Sequence, residues 1–149
     1  MIFLKGLYVV AIAVVLILLV IVGVEAFYPG PSYPEYNAPP VDYNSTEYQE
    51  WEQGWTEAYE AYQQETAVHD RNIFFIVLPL GAVFAVVGTF IRRRLDLFGA
   101  SLILGGIGTM IFALVPYDLD AILRFAGIAA TLAVLVFVGY KVFLSLKRS

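Results

Sequence analysis

Residues 27–71 read FYPGPSYPEYNAPPVDYNSTEYQEWEQGWTEAYEAYQQETAVHDR, a polar and aromatic stretch set into an otherwise apolar chain of 149 residues. It holds both tryptophans, seven of the ten tyrosines and five of the seven prolines. Whatever the chain recognises is expected to meet it there. Working outward, the flanks are long uncharged runs, Gly6 to Val24 before it and Asn72 to Ile91 after it. Two more follow, Leu97 to Tyr117 and Ala121 to Tyr140, the last broken only by Arg124.

Each run is near the ~20 residues with which a helix crosses ~30 Å of hydrocarbon. The composition is 60% hydrophobic, against about 45–50% in soluble domains, and the mean hydropathy is +0.74. The excess has to face lipid. The expected fold is therefore an all-α membrane protein, one polytopic domain over 1–149 with four transmembrane helices at 6–26, 72–91, 97–116 and 121–143. The first run follows Lys5 and precedes the small residues of Val24-Glu25-Ala26, as a secretory signal would. Its apolar core exceeds the ~7–15 residues of a signal h-region, so it is read as a retained helix.

Charge sets the orientation. Lys5, Arg92, Arg93, Arg94, Lys141, Lys147 and Arg148 share one side of this layout, and only Arg71 and Arg124 the other. The positive-inside rule then places both termini in the cytoplasm and 27–71 outside the cell membrane. Twelve of the thirteen acidic residues fall on that outer side, all but Asp96, so the net charge of -4 conceals a strong asymmetry.

With no cysteine, the outer segment must be ordered by packing and not by disulfides. From Tyr28 to Pro40 the proline density is that of a polyproline II strand. Asn44 followed by Glu47 then resembles a capping box, and from Ser45 to Asp70 there is no proline and only Gly54. A helix of about 26 residues is expected, and its aromatic residues Tyr48, Trp51, Trp55, Tyr59 and Tyr62 project into a sector of ~80° at ~100° per residue. Glu50, Gln53, Glu57, Glu60 and Gln64 point away. A strand of ~3.1 Å per residue and a helix of ~1.5 Å per residue reach similar lengths, so the two are expected to close as a hairpin inserted between the first two membrane helices. Its architecture is similar to that of the pancreatic-polypeptide hairpin.

The five aromatic residues are candidates for interaction. They either pack within the chain, or pair with another protein or a second copy, or bind carbohydrate or the lipid surface. The acidic back lacks the Lys and Arg of surface-lying helices, and its carboxylates are too scattered for a metal site. Asn44-Ser45-Thr46 matches the glycosylation sequon, although Asn44 is accounted for as the cap. His69, the sole histidine, falls on the aromatic face and is expected to be packed or interfacial.

Within the membrane runs, chemistry is sparse. There is no histidine for haem, no cysteine for a cluster, and no Asp, Glu or Lys at mid-depth, where ionisable residues mark ion or proton paths. Ser101 has no base on its own side to activate it. Arg124 is read as snorkelling and pairing with Asp120 or Glu25, or as a site for an anionic headgroup or ligand. Neither catalytic residues, cofactors, metals nor nucleic acid are expected. Small residues recur at spacing four in Ser101, Gly105, Thr109 and Ala113, in Gly81, Ala85 and Thr89, and in Gly127 and Thr131, which are faces for close helix packing. Pro79 is expected to kink the second helix, and Arg92-Arg93-Arg94 to make the cytoplasmic turn and touch anionic lipid.

Phe27-Tyr28-Pro29 with Tyr33-Pro34, the Tyr/Glu/Gln-rich helix, Arg71-Asn72-Ile73-Phe74, Gly99-Ala100 with Gly105-Gly106-Ile107, and Leu123-Arg124-Phe125 with Gly139-Tyr140-Lys141 together resemble a group of small four-span membrane proteins from uncultivated prokaryotes. The resemblance implies the four-span topology and no activity. Two functions stay open: a non-enzymatic scaffold or accessory subunit whose outer hairpin holds a membrane-protein partner or a second copy, and a small oligomeric channel or transporter-like protein suggested by the glycine-rich third run.

Overall fold

The structure, a computed structural model, describes residues 2–92, 95–116 and 118–147. Arg93, Arg94, Tyr117 and Arg148, used above for turns and orientation, lie outside the described residues, as does the side chain of Lys147. The described elements are helices throughout: α1 (Ile2–Phe27), α2 (Thr46–Ile91), α3 (Asp96–Phe112) and α4 (Ala121–Lys147). Of these, α1, α2 and α4 are long and apolar enough to cross a membrane, while α3 has 17 residues.

The third helix is shorter than the expected span 97–116, ending at Phe112. Pro116 explains this, because it disfavours helical backbone at the residue before it. The chain tightens into i→i−3 bonds, from Leu114 N to Ile111 O (3.0 Å) and Val115 N to Phe112 O (3.1 Å).

The largest departure lies at α2. The outer helix and the second membrane helix, expected as 45–70 and 72–91, form one uninterrupted helix of 46 residues. Hydropathy changes sharply at His69-Asp70-Arg71, but nothing there breaks a backbone: between Gly54 and Pro79 the sequence has neither glycine nor proline. The helix also continues through Pro79. Its cap is Ser45 and not Asn44. The Ser45 hydroxyl accepts from Tyr48 N at 3.2 Å and donates to Asp42 O at 2.7 Å, and Asp42 Oδ1 accepts from Asn44 N at 3.1 Å.

Helix α3 is the hub, packing most extensively on α2 and next on α1, while α4 lies against α2 and α3. All three small-residue stripes are buried: Ser101, Gly105, Thr109 and Ala113; Gly81, Ala85 and Thr89; Gly127 and Thr131. The reason is backbone proximity. A Cβ on Gly106 would stand 2.5 Å from Ala85 N and 2.6 Å from Gly81 O, and one on Gly88 would stand 2.8 Å from Gly99 O. The buried hydroxyls do not open a polar path, since Thr89, Ser101, Thr109 and Thr131 each donate to the carbonyl four residues back at 2.8 Å. Val20, Phe74, Val77, Ala113 and Leu119 form an apolar core at the end of the bundle from which the α2 extension emerges. At the other end Arg92 Nε donates to Asp96 Oδ1 at 3.2 Å, tying α2 to the first turn of α3.

These contacts rank the glycines. Gly106→Ala must push the α2 and α3 backbones apart and is expected to cost ~1–3 kcal/mol. Gly105→Ala meets chiefly the mobile end of Leu16 and should cost less. Gly54→Ala has open space around it and should stabilise by ~0.5–1 kcal/mol through helix propensity. Thermal melts of the purified protein in detergent check this order, and a Gly106→Ala protein melting with wild type would refute the close-approach account.

Candidate functional site

Outside the bundle, residues 28–45 carry no regular secondary structure and run back along the first half of α2. The five aromatic residues read as one face are in fact one row. Ring centroids follow each other from Tyr48 to Trp51 (5.7 Å), Trp55 (6.5 Å), Tyr59 (6.4 Å) and Tyr62 (6.4 Å). Tyrosines of the outgoing segment dock onto this row in antiparallel order. Tyr28 stacks on His69 at 4.9 Å and 4°. Tyr33 lies edge-on to Tyr62 (5.2 Å) and Tyr59 (6.3 Å), Tyr36 edge-on to Trp55 (5.2 Å) and Trp51 (6.1 Å), and Tyr43 edge-on to Tyr48 (5.2 Å). Such pairs are each worth ~0.5–1.5 kcal/mol beyond the area they bury. Trp51 Nε1 also donates to Asn37 O at 2.8 Å, which satisfies the indole and pins the segment.

Tyr48, Trp51, Trp55 and Tyr62 are half-buried by this packing and Tyr59 is barely exposed. The outer rings are more open: Tyr33 is 59% exposed, Tyr36 63% and Tyr43 70%. Glu50, Gln53, Glu57, Glu60 and Gln64 are all exposed on the opposite face.

Where the aromatic row meets the bundle lies a cavity of about 420 Å³ that sequence reading missed, walled by Ile21, Val24 and Glu25 of α1, Tyr28 and Gly30, His69, Asp70 and Ile73 of α2, and Phe112, Val115 and Pro116. Four separate parts of the chain build it, so no local motif announces it. The one hint was His69 on the aromatic face. His69 Nε2 lies 3.1 Å from the Tyr28 carbonyl; a carbonyl only accepts, so this nitrogen carries hydrogen. Nδ1 sits 3.6 Å from Asp70 Oδ1, within ion-pair reach but long for a hydrogen bond. Asn72 Nδ2 donates to Tyr28 Oη at 2.9 Å, so Tyr28 is held at ring, hydroxyl and carbonyl.

Burial pushes the Asp70 carboxyl above its usual range, the neighbouring His69 pulls it back, and Asp118 adds a smaller upward push. Two of the remaining candidates, Asp120 and Arg124, sit one turn apart, where Arg124 N donates to Asp120 O at 2.9 Å. Glu25 is exposed on the cavity wall, Asp120 is exposed at the start of α4, and half-buried Arg124 donates from Nη2 to Pro116 O at 2.9 Å, tying α4 to the turn after α3. Among the described residues no group of three or more His, Asp or Glu side chains is placed to hold a metal ion.

A raised native pKa means that Asp70 contributes most to stability in acid, and that this contribution is lost as pH rises through the native pKa. Asp70→Asn removes the titration and nearly keeps the shape. Its melting temperature should match wild type in acid and exceed it increasingly toward neutral pH; parallel melting curves across pH would refute the assignment. Comparison of the chain with protein-family models, with curated proteins and with solved structures gave no match.

Proposed function

We propose that this chain is a non-enzymatic membrane scaffold or accessory subunit of the cell membrane, presenting an outer post to a partner protein or a second copy. In this reading four helices span the bilayer with both termini cytoplasmic, and residues 27–71 stand outside as a polyproline-strand and helix hairpin. The observation that carries it is the continuity of α2: the helix that crosses the membrane is also the post, so the post's direction is fixed by the bundle. Its reach of ~39 Å over 26 residues is that of a rigid display element.

Other observations lend support. From Tyr28 to Tyr36, eight residues advance beside roughly sixteen of α2, or ~3.0 Å each, close to the ~3.1 Å of polyproline II. Between Tyr28 and Tyr36, Pro31 and Pro34, three apart, are half-buried while Pro29 is exposed, as a threefold strand facing a helix requires; nearer the tip Pro39 and Pro40 are both half-buried. Tyrosine-rich exposed edges are a mark of protein interfaces. The channel reading rested on the glycines of α3, and Gly105 and Gly106 are taken up by contacts to Leu16, Ala85 and Gly81.

Crosslinking with mass spectrometry in native membranes tests the proposal through two variants. Trp51→Ala with Trp55→Ala dismantles the aromatic row, whereas Glu50→Gln, Glu57→Gln and Glu60→Gln discharge the exposed back without touching packing. Loss of a specific crosslink in either variant is expected, and it names the face that binds. Crosslinks unchanged in both, with altered ion flux in liposomes, would sink the scaffold and favour a small oligomeric channel.

A further inference from the structure

We propose that Asn44 is an acceptor for N-linked glycan, so that the tip of the post carries a carbohydrate cap. The inference rests on the outward placement of residues 27–71 proposed above. As a sequence, Asn44-Ser45-Thr46 satisfies the acceptor pattern, and the objection was that helix capping would occupy the Asn44 side chain. The structure removes that objection. Ser45 makes the cap, accepting from Tyr48 N, and Asn44 is engaged through its backbone N–H, which donates to Asp42 Oδ1 at 3.1 Å. Among the described residues no hydrogen bond involves the Asn44 carboxamide or the Thr46 hydroxyl, and both residues are exposed.

Position favours the reaction as well. Asn44 lies in the turn 42–45 between the outgoing segment and the first turn of α2, where helix ends fray and backbone is easily lifted into a transferase. The 26 residues of α2 from Thr46 to Arg71 separate it from Asn72, placing it ~39 Å beyond the start of the apolar span. Tyr43 beside it is 70% exposed and offers a flat ring on which the first sugar can rest. A glycan there projects past the end of the aromatic row and covers neither that row nor the acidic back.

The chemistry is a substitution without redox change. The donor is a glycan on a polyprenyl phosphate or pyrophosphate, and a membrane oligosaccharyltransferase supplies the catalyst. Asn44 Nδ2 attacks the anomeric carbon, the C1–N bond forms as the C1–O bond to phosphate breaks, and the amide proton passes to the transferase base while the lipid phosphate leaves.

The full-length chain is expressed in cells whose transferase is shown to modify a co-expressed acceptor protein, and cleavage after glutamate releases the peptide 36–47, bounded by Glu35 and Glu47. Glycan mass on that peptide is expected in wild type and in Ser45→Ala, which weakens the cap but keeps the acceptor pattern. It should be lost in Asn44→Gln and in Thr46→Ala. In parallel, Glu57→Cys introduces the sole thiol for labelling of intact cells with a membrane-impermeant maleimide. Labelling with an unmodified Asn44 overturns the glycan proposal and leaves the topology standing; no labelling overturns both.

Discussion

Gly106 and Gly81 let the backbones of α3 and α2 come so near that a single methyl group would collide with a peptide nitrogen or oxygen. In the four-span arrangement proposed above, helices that face lipid have little hydrophobic gain from association, so close van der Waals packing has to hold them. The contact therefore does more than fill space. It fixes α2 against α3, and Gly105 and Gly108, which face Leu16 and Ile17, fix α1 on another side of the same helix. Because α2 does not end at the surface, the direction it takes in the bundle becomes the direction of the post. A break at Asp70 would have left the outer helix free to swing, and with it the tyrosine edge and the cavity beneath.

The outgoing segment is ordered by a different economy. It has no disulfide and no strand partner, yet Tyr28, Tyr33, Tyr36 and Tyr43 each find a ring on α2. Prolines lower the conformational freedom that must be given up on docking, and the rings supply geometry that isotropic apolar packing lacks. Tyr28 at one end and Asp42 at the other act as fixed points: the first is held by His69 and Asn72, and the second organises the turn that starts α2.

What was legible followed from periodicity. The small-residue stripes repeat every four positions, and the aromatic row repeats at three and four, so both faces could be named from spacing and both are found facing neighbours. What was not legible turned on interactions that spacing does not encode. The charges of Asp70 and Arg71 mark where hydropathy changes, but a helix ends only where backbone geometry demands it, which is why α2 runs through that point and α3 stops short of Pro116. Asn44 and Ser45 are both good caps; the choice falls to Ser45 because Asp42 binds the Asn44 N–H and the Ser45 hydroxyl together. The cavity needs four chain segments in register, and no one of them carries its signature.

The post thus divides its surface between two kinds of interaction. On one side the rings of α2 are committed to the outgoing segment, leaving mainly the outer edges of Tyr33, Tyr36 and Tyr43 to meet anything else. On the other, carboxylates dominate, and from Phe27 to Arg71 nine acidic residues face a single basic one. Exposed charges of one sign raise the encounter rate with an oppositely charged surface and lose that advantage as salt screens them. Aromatic edges act only at contact and are indifferent to salt. A partner engaging both faces would then be captured by charge and retained by rings, so its association would weaken with ionic strength while its dissociation would not. A partner held by the tyrosine edge alone would show neither dependence, and that difference separates the two faces without disturbing the packing that builds them.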